Sequence, residues 1–165
     1  AVMDFGGRPA VLVAMRDGEQ QLRSVHGRYL SNRRGENKML TVGPGGGAVS
    51  VLGGWRVDPL ILVEGLFDAL SLAMSGIASV ATIGRFAPWL PDVAVDRDVW
   101  VAFDAGRPGE AEAARYVERL GGARVLRLPP PPRCKDWNTA LAKRGQRVVS
   151  RWIQGALSAR EATRP

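Results

Sequence analysis

Three apolar runs in this chain each lead into a carboxylate, and that ordering constrains the fold more than any other feature. Leu60-Ile61-Leu62-Val63 runs into Glu64, and Val99-Trp100-Val101-Ala102-Phe103 runs into Asp104. Arg124-Val125-Leu126-Arg127-Leu128 is followed, after a proline loop, by Asp136. Short runs of Val, Leu, Ile and aromatics bounded by Gly, Pro and polar residues read as buried strands. If the strands lie parallel, their carboxyl ends share one edge, where open α/β sheets bind ligands. Acids gathered there without cationic partners repel one another, and a bound divalent cation relieves the repulsion. The pattern predicts metal-assisted chemistry at the carboxyl edge of a parallel sheet.

The segments between these runs support that architecture. Leu66, Ala69, Leu70, Ala73 and Met74 recur at helical spacing with one apolar face, and Gly76 stops the helix. Ala78 to Thr82 reads as a strand, Pro88 to Val95 as a brief helix, and Glu110 to Leu120 as an amphipathic helix closed by Gly121-Gly122. Asp136 to Lys143 and Val148 to Ser158 read as helices after the proline run from Pro129 to Pro132, which no helix interior tolerates. Alternating β and α units imply a parallel sheet with right-handed crossovers. The first third differs. Ala10 to Met15, Leu22 to Leu30, Lys38 to Val42 and Ala48 to Leu52 read as strands, with a turn at Asp17-Gly18. The cluster Gly43-Pro44-Gly45-Gly46-Gly47 lacks the Lys-Ser/Thr of a phosphate loop and reads as a turn. The expected fold class is α/β, a parallel sheet flanked by helices with a small N-terminal antiparallel β subdomain. The expected division is a basic β-rich subdomain over 1–57, a catalytic domain over 58–145, and a C-terminal helix and tail over 146–165.

Composition narrows the function. A chain of 165 residues with formal charge +7 and pI near 10.7 favours an anionic partner, and nucleic acid is the commonest. No apolar stretch approaches the roughly 18 residues of a membrane span, so no membrane partner is expected. The chain opens on Ala1, as a fragment would. With Cys134 its single cysteine and His26 its single histidine, an internal disulfide and a Cys/His zinc site are both excluded. His26, in a strand far from any nucleophile signal, is read as structural. The lack of disulfides suits a cytoplasmic setting.

Glu64 and Asp68 stand one helical turn apart and can face the same edge, although both also suit the positive end of a helix dipole. Asp104 opens the loop Asp104-Ala105-Gly106-Arg107-Pro108-Gly109, between a strand and a helix where phosphates bind. Asp136, in Lys135-Asp136-Trp137-Asn138, is equally a helix cap.

Taken together these pieces resemble the Toprim domain, in particular the catalytic core of bacterial and phage-type DNA primases. Val63-Glu64-Gly65-Leu66-Phe67-Asp68-Ala69 resembles the family's Glu-Gly…Asp element, and Phe103 to Gly109 resembles its Asp-x-Asp-Arg-x-Gly element. Lys135 to Asn138 resembles its Lys-Asp-x-Asn/Asp element, and Ala81-Thr82-Ile83-Gly84 its short Ala-x-x-Gly turn. Order and spacing agree over about residues 58 to 145. Upstream, Gly27 to Asn32 resembles a Lys-Tyr-Leu-Asn segment on the primase basic face, and with Arg33, Arg34 and Lys38 it forms a cationic stretch holding one aromatic. Trp55, Trp89 and Trp152 read as core or partner contacts.

The resemblance implies a nucleotidyltransferase that makes RNA primers on single-stranded DNA from ribonucleoside triphosphates with Mg²⁺ or Mn²⁺. It implies metal binding by Asp68, Asp104 and Asp136 with Asn138 assisting, and Glu64 as a further ligand or the proton-transfer group. Arg107 and Lys135 would neutralise triphosphate charge, while Arg28, Tyr29, Arg33, Arg34 and Lys38 would track nucleic acid. A helicase partner and an upstream zinc-binding domain are implied for the full-length protein, with no zinc in this fragment. One departure stands out: Gly106 occupies the position of the family's second aspartate. The site loses a negative charge and an oxygen ligand, which leaves open an impaired nucleic-acid-binding module, and the motifs equally admit a Toprim-type nuclease.

Overall fold

The protein is described by a computed structural model covering residues 2–31, 34–121 and 123–162. Among these residues the strands form two sheets. The first consists of β1 (Val2–Asp4), β2 (Pro9–Arg16), β3 (Leu22–Tyr29) and β4 (Met39–Val42), antiparallel and paired in chain order. The expected turn between β2 and β3 is held by Asp17, whose Oδ1 accepts from the amides of Glu19 and Gln21.

The second sheet contains β5 (Val49–Val51), β6 (Leu60–Val63), β7 (Ser79–Ala81), β8 (Asp98–Val101) and β9 (Arg124–Arg127), in the order β5-β7-β6-β8-β9. The last four strands to enter are mutually parallel. One expectation is corrected here. The strand within Ala48–Leu52 leaves the N-terminal sheet and pairs antiparallel with β7. It covers the edge that β7 would otherwise expose, the usual protection of a sheet edge. Ala48 still exchanges both backbone bonds with Arg16, so this segment crosses from one sheet to the other.

Every residue of β6 and β8 is buried, as expected of strands covered on both faces. Alternation sends their side chains to opposite layers. Ile61, Val63 and Trp100 pack with α1 (Leu66–Met74), α4 (Trp137–Arg144) and α5 (Gln146–Ala162). Leu60, Leu62, Val99 and Val101 pack with α2 (Leu90–Ala94) and α3 (Arg107–Arg119). Pro108 sits in the first turn of α3, where its missing N–H costs nothing. No helix among the described residues is long and apolar enough to cross a membrane.

Candidate active site

The parallel strands deliver the acids as the sequence predicts. Glu64 follows the last residue of β6, and Asp68 lies in the first turn of α1. Asp104 follows β8 by way of Ala102 and Phe103, and Asp136 caps α4 after the proline loop beyond β9. All four carboxylates line one cavity of about 420 Å³, together with Ile83, Gly84, Lys135 and Asn138. The opposite wall comes from the first sheet through His26, Arg28, Lys38 and Met39. The cavity is therefore built between the two sheets, acidic on one side and basic on the other.

Backbone donors fix three of the four acids, Glu64, Asp68 and Asp136. Glu64 Oε1 accepts from the Asp104 amide at 3.1 Å, tying the ends of β6 and β8 together. Asp68 Oδ1 accepts from the amides of Trp137 and Asn138 at 3.0 and 3.2 Å, and Asp136 Oδ1 accepts from Thr139 at 2.6 Å. The last bond is an N-cap, and all three engage amides that the first turn of α4 cannot satisfy itself. Trp137 is fully buried, and its Nε1 donates to the Ala102 carbonyl at 2.7 Å, so α4 is locked to the end of β8. The Ala105 amide donates to the Lys135 carbonyl at 2.7 Å and joins the remaining two loops.

The acids are crowded. Burial pushes the Asp68 carboxyl up to about 6, and the charges of Asp104 and Asp136 add to the rise against the two amides that oppose it. Burial and the neighbouring Asp104 raise Glu64, and burial and Asp136 raise Asp104. Lys135 and Arg127 pull Asp104 back down. Lys135 Nζ stands 3.8 Å from Asp104 Oδ2 with its side chain 75% exposed, so this ion pair lies at the rim and does not fill the cavity.

Not every expected residue reaches the site. Arg107 is exposed at the start of α3 and is not among the lining residues. Arg34 lies exposed in a turn away from the cavity, and Arg33 falls outside the described residues. Tyr29 is 8% exposed, with the Arg8 guanidinium 3.9 Å above its ring, so the expected stacking face is already covered. Arg28 and Lys38 do line the cavity, and Arg28 also lies over the Phe67 ring at 5.7 Å. His26 is buried and bonded through Nδ1 to Thr41 Oγ1, the structural position expected of it, while also forming part of the wall.

Arg127 is the residue that sequence reading passed over. Its guanidinium donates to the carbonyls of Asp104 (2.8 Å) and Val101 (2.9 Å), and it pairs with Glu110 at 2.7 Å. It braces the loop that carries Asp104, and its charge lowers both Glu64 and Asp104. The signal was present as the second of two arginines in β9, at the strand end that meets the acidic edge.

Two glycines shape the Asp104 loop. A Cβ on Gly109 would lie 2.0 Å from the Asp104 carbonyl oxygen, so only glycine lets α3 begin against that strand end. Gly106 has φ +95 and ψ 172, a conformation that side chains essentially never adopt, although a Cβ there would meet open space. The missing second aspartate is thus accompanied by a backbone that disfavours it.

Among the described residues no three acids are close enough to form a ready-made metal cage. The donor set nevertheless fits Mg²⁺ or Mn²⁺. Mg²⁺ commonly takes one or two carboxylates and completes its shell with water and substrate phosphates. Glu64, Asp104 and Asp136 each keep a carboxylate oxygen that accepts no hydrogen bond among the described residues. Asp68 is the most committed to structure, since one of its oxygens holds two amides of α4.

Comparisons with known proteins agree with this fold. The chain is similar in structure to the Aquifex aeolicus primase zinc-binding and RNA polymerase domains, at 21% identity and TM-score 0.67 over 90% of this chain and 40% of that one. It is similar to the DnaG primase catalytic domain bound to single-stranded DNA, at 23% identity and TM-score 0.65 over 88% and 51% of the two chains. It also resembles the primase fragment of the bacteriophage T7 primase-helicase protein, at 17% identity and TM-score 0.66 over 92% and 65%. The chain thus spans about two fifths to two thirds of the length of these structures. No curated protein matches it in sequence. The Toprim domain model matches residues 59–147, which contain all four carboxylates, and on that match the chain belongs to the Toprim domain family.

Proposed function

We propose that this chain is the catalytic core of a DNA primase, a metal-dependent nucleotidyltransferase that makes RNA primers on single-stranded DNA. One observation carries the reading. The ends of parallel strands gather Glu64, Asp68, Asp104 and Asp136 in a cavity whose opposite wall presents Arg28 and Lys38. An acidic floor suits divalent cations, and a basic wall suits the phosphates of nucleotides and template. The likeness to primase cores in fold supports the same reading.

Glu64, Asp104 and Asp136 are the residues that would hold Mg²⁺ or Mn²⁺, with Asn138 beside them. Such an ion supplies Lewis-acid polarisation of a phosphate and lowers the pKa of an attacking hydroxyl. The raised Glu64 carboxyl also suits a proton acceptor at the 3′-hydroxyl. Asp68 acts by position, holding α4 and therefore Asp136. Lys135, Arg28 and Lys38 neutralise triphosphate charge, and a helicase partner belongs to the longer protein.

The test is primer synthesis from ribonucleoside triphosphates on single-stranded DNA with Mg²⁺ or Mn²⁺. Short RNA products from this protein, absent with Glu64→Gln, support the reading. DNA shortening in place of primers identifies a nuclease. A second reading rests on Gly106: a binding module whose catalytic site has decayed. It predicts retained single-stranded DNA binding with no primers in either metal.

A further inference from the structure

The acidic cavity adjoins a second hollow at Ile83. Ile83 also lines a narrow cavity of about 100 Å³ walled by Met15, Thr41, Gly43, Gly45, Gly46, Gly47 and Arg85. Gly45, Gly46 and Arg85 in turn line a wider recess of about 490 Å³ with Asp17, Arg23, Phe86, Pro88 and Trp89. The three spaces share wall residues and so lie side by side. The middle one is lined largely by glycine, so a chain lying in it approaches the protein backbone closely.

The distal recess has a definite chemistry. Arg23 and Arg85 are both exposed, and neither guanidinium makes a hydrogen bond or ion pair among the described residues. The one acid of the recess, Asp17, accepts from the amides of Glu19 and Gln21 through Oδ1 and pairs with neither arginine. Trp89 is pinned by its indole N–H to the Gly46 carbonyl and packs edge-on against Trp55 at 4.7 Å, giving the recess a rigid aromatic wall. Ile83, at the junction, has φ +54, a left-handed conformation that β-branched residues rarely tolerate. Gly84 follows at φ +68, and this double left-handed turn carries Arg85 into the recess and away from the acids.

Two guanidinium groups without ion pairs outnumber the one acid of the recess and, beside an aromatic wall, suit a polyanion with flat bases, while the shared walls place that ligand next to the catalytic cavity. We propose that Arg23, Arg85 and Trp89 form a distal subsite for single-stranded nucleic acid, gripping the phosphates of the strand several nucleotides from the reacting end. The inference rests on the primase reading above and adds to it a direction of travel, along the Gly43–Gly47 loop.

The test is fluorescence anisotropy with end-labelled oligothymidylates of about four and about sixteen nucleotides across a salt series. Both arginines are exposed, so Arg23→Ala with Arg85→Ala should leave the thermal midpoint unchanged. The double variant should lose about tenfold in affinity for the long strand, with a shallower salt dependence, and keep its affinity for the short one. Unchanged long-strand affinity and salt slope, with wild type binding normally, would overturn the distal subsite and leave the primase reading standing. Equal loss on both lengths would also overturn it, since the arginines would then act at the reacting end. Failure of wild type to bind either strand would overturn both readings.

Discussion

The carboxylate of Asp68 reaches across the fold to the start of α4, where Oδ1 accepts from the Trp137 amide at 3.0 Å and the Asn138 amide at 3.2 Å. Residues distant in sequence thus share two hydrogen bonds that set where Asp136 stands. Asp68 is 9% exposed and its carboxyl is raised to about 6, so the folded state carries an ionised group in a place that disfavours charge.

The consequence for stability has a definite sign. A carboxyl raised above its unfolded value contributes stability that is complete below the unfolded pKa and lost as pH rises through the folded one. Without divalent metal, stability should therefore fall between about pH 4 and pH 6.5. Asp68→Asn keeps an acceptor oxygen for both amides and removes the charge. Urea unfolding at pH 7 in EDTA should find it more stable than wild type, by about 2 kcal/mol, with a flatter pH profile. Asp68→Ala should be less stable than Asp68→Asn, because two amides lose their partner.

Divalent metal should act through the same crowding. Mg²⁺ or Mn²⁺ relieves repulsion among Glu64, Asp104 and Asp136 in the folded state alone, so either ion should raise the thermal midpoint. Glu64→Gln and Asp104→Asn should each weaken that rise and, on the proposed primase reading, reduce primer synthesis by about 100-fold or more. Differential scanning fluorimetry over a metal titration reads the first effect, and a denaturing-gel primer assay the second.

Arg127 should reveal itself in the pH dependence of activity. Its charge lowers Glu64 and Asp104, and its guanidinium holds the Asp104 carbonyl. Arg127→Met should raise both carboxyl pKa values and move the acid limb of the pH–rate profile to higher pH. A uniform loss of rate with an unmoved limb would show that Arg127 acts only as a brace.

Gly106 offers a separation of strain from space. A Cβ there meets nothing within 4 Å, yet the backbone has φ +95. Gly106→Ala should cost about 1–3 kcal/mol purely through the backbone. Gly106→Asp should show the same penalty in denaturant unfolding, whatever oxygen it returns to the cavity.

Trp137→Phe should cost about 1–2 kcal/mol, since it strands the buried Ala102 carbonyl that Trp137 Nε1 now satisfies. A smaller loss in urea unfolding would mean that α4 is held mainly by Asp68.

The acidic edge was legible in sequence because apolar runs ending in Glu64 and Asp104 encode both a strand and its terminus. The helix from Leu66 and the cap at Asp136 were legible for the same reason, being local patterns of spacing and hydrogen bonding. Strand pairing was not local. Val49–Val51 reads like its predecessors, and only the exposed edge of β7 decides which sheet it joins. Tyr29 beside several cations reads as a stacking platform, but the sequence does not say that Arg8 covers it.

By itself, then, the sequence determined the alternation of strands and helices, the position of an acid just after each of several strands, and the excess of positive charge, since these depend on neighbours a few residues apart. Tertiary structure alone decided which oxygens of those acids hold amides and which remain open, that Arg127 and not Arg107 steadies the Asp104 loop, and that a second hollow adjoins the cavity at Ile83. Those outcomes depend on approach between segments tens of residues apart, where burial and close charge, not sequence spacing, set the energies.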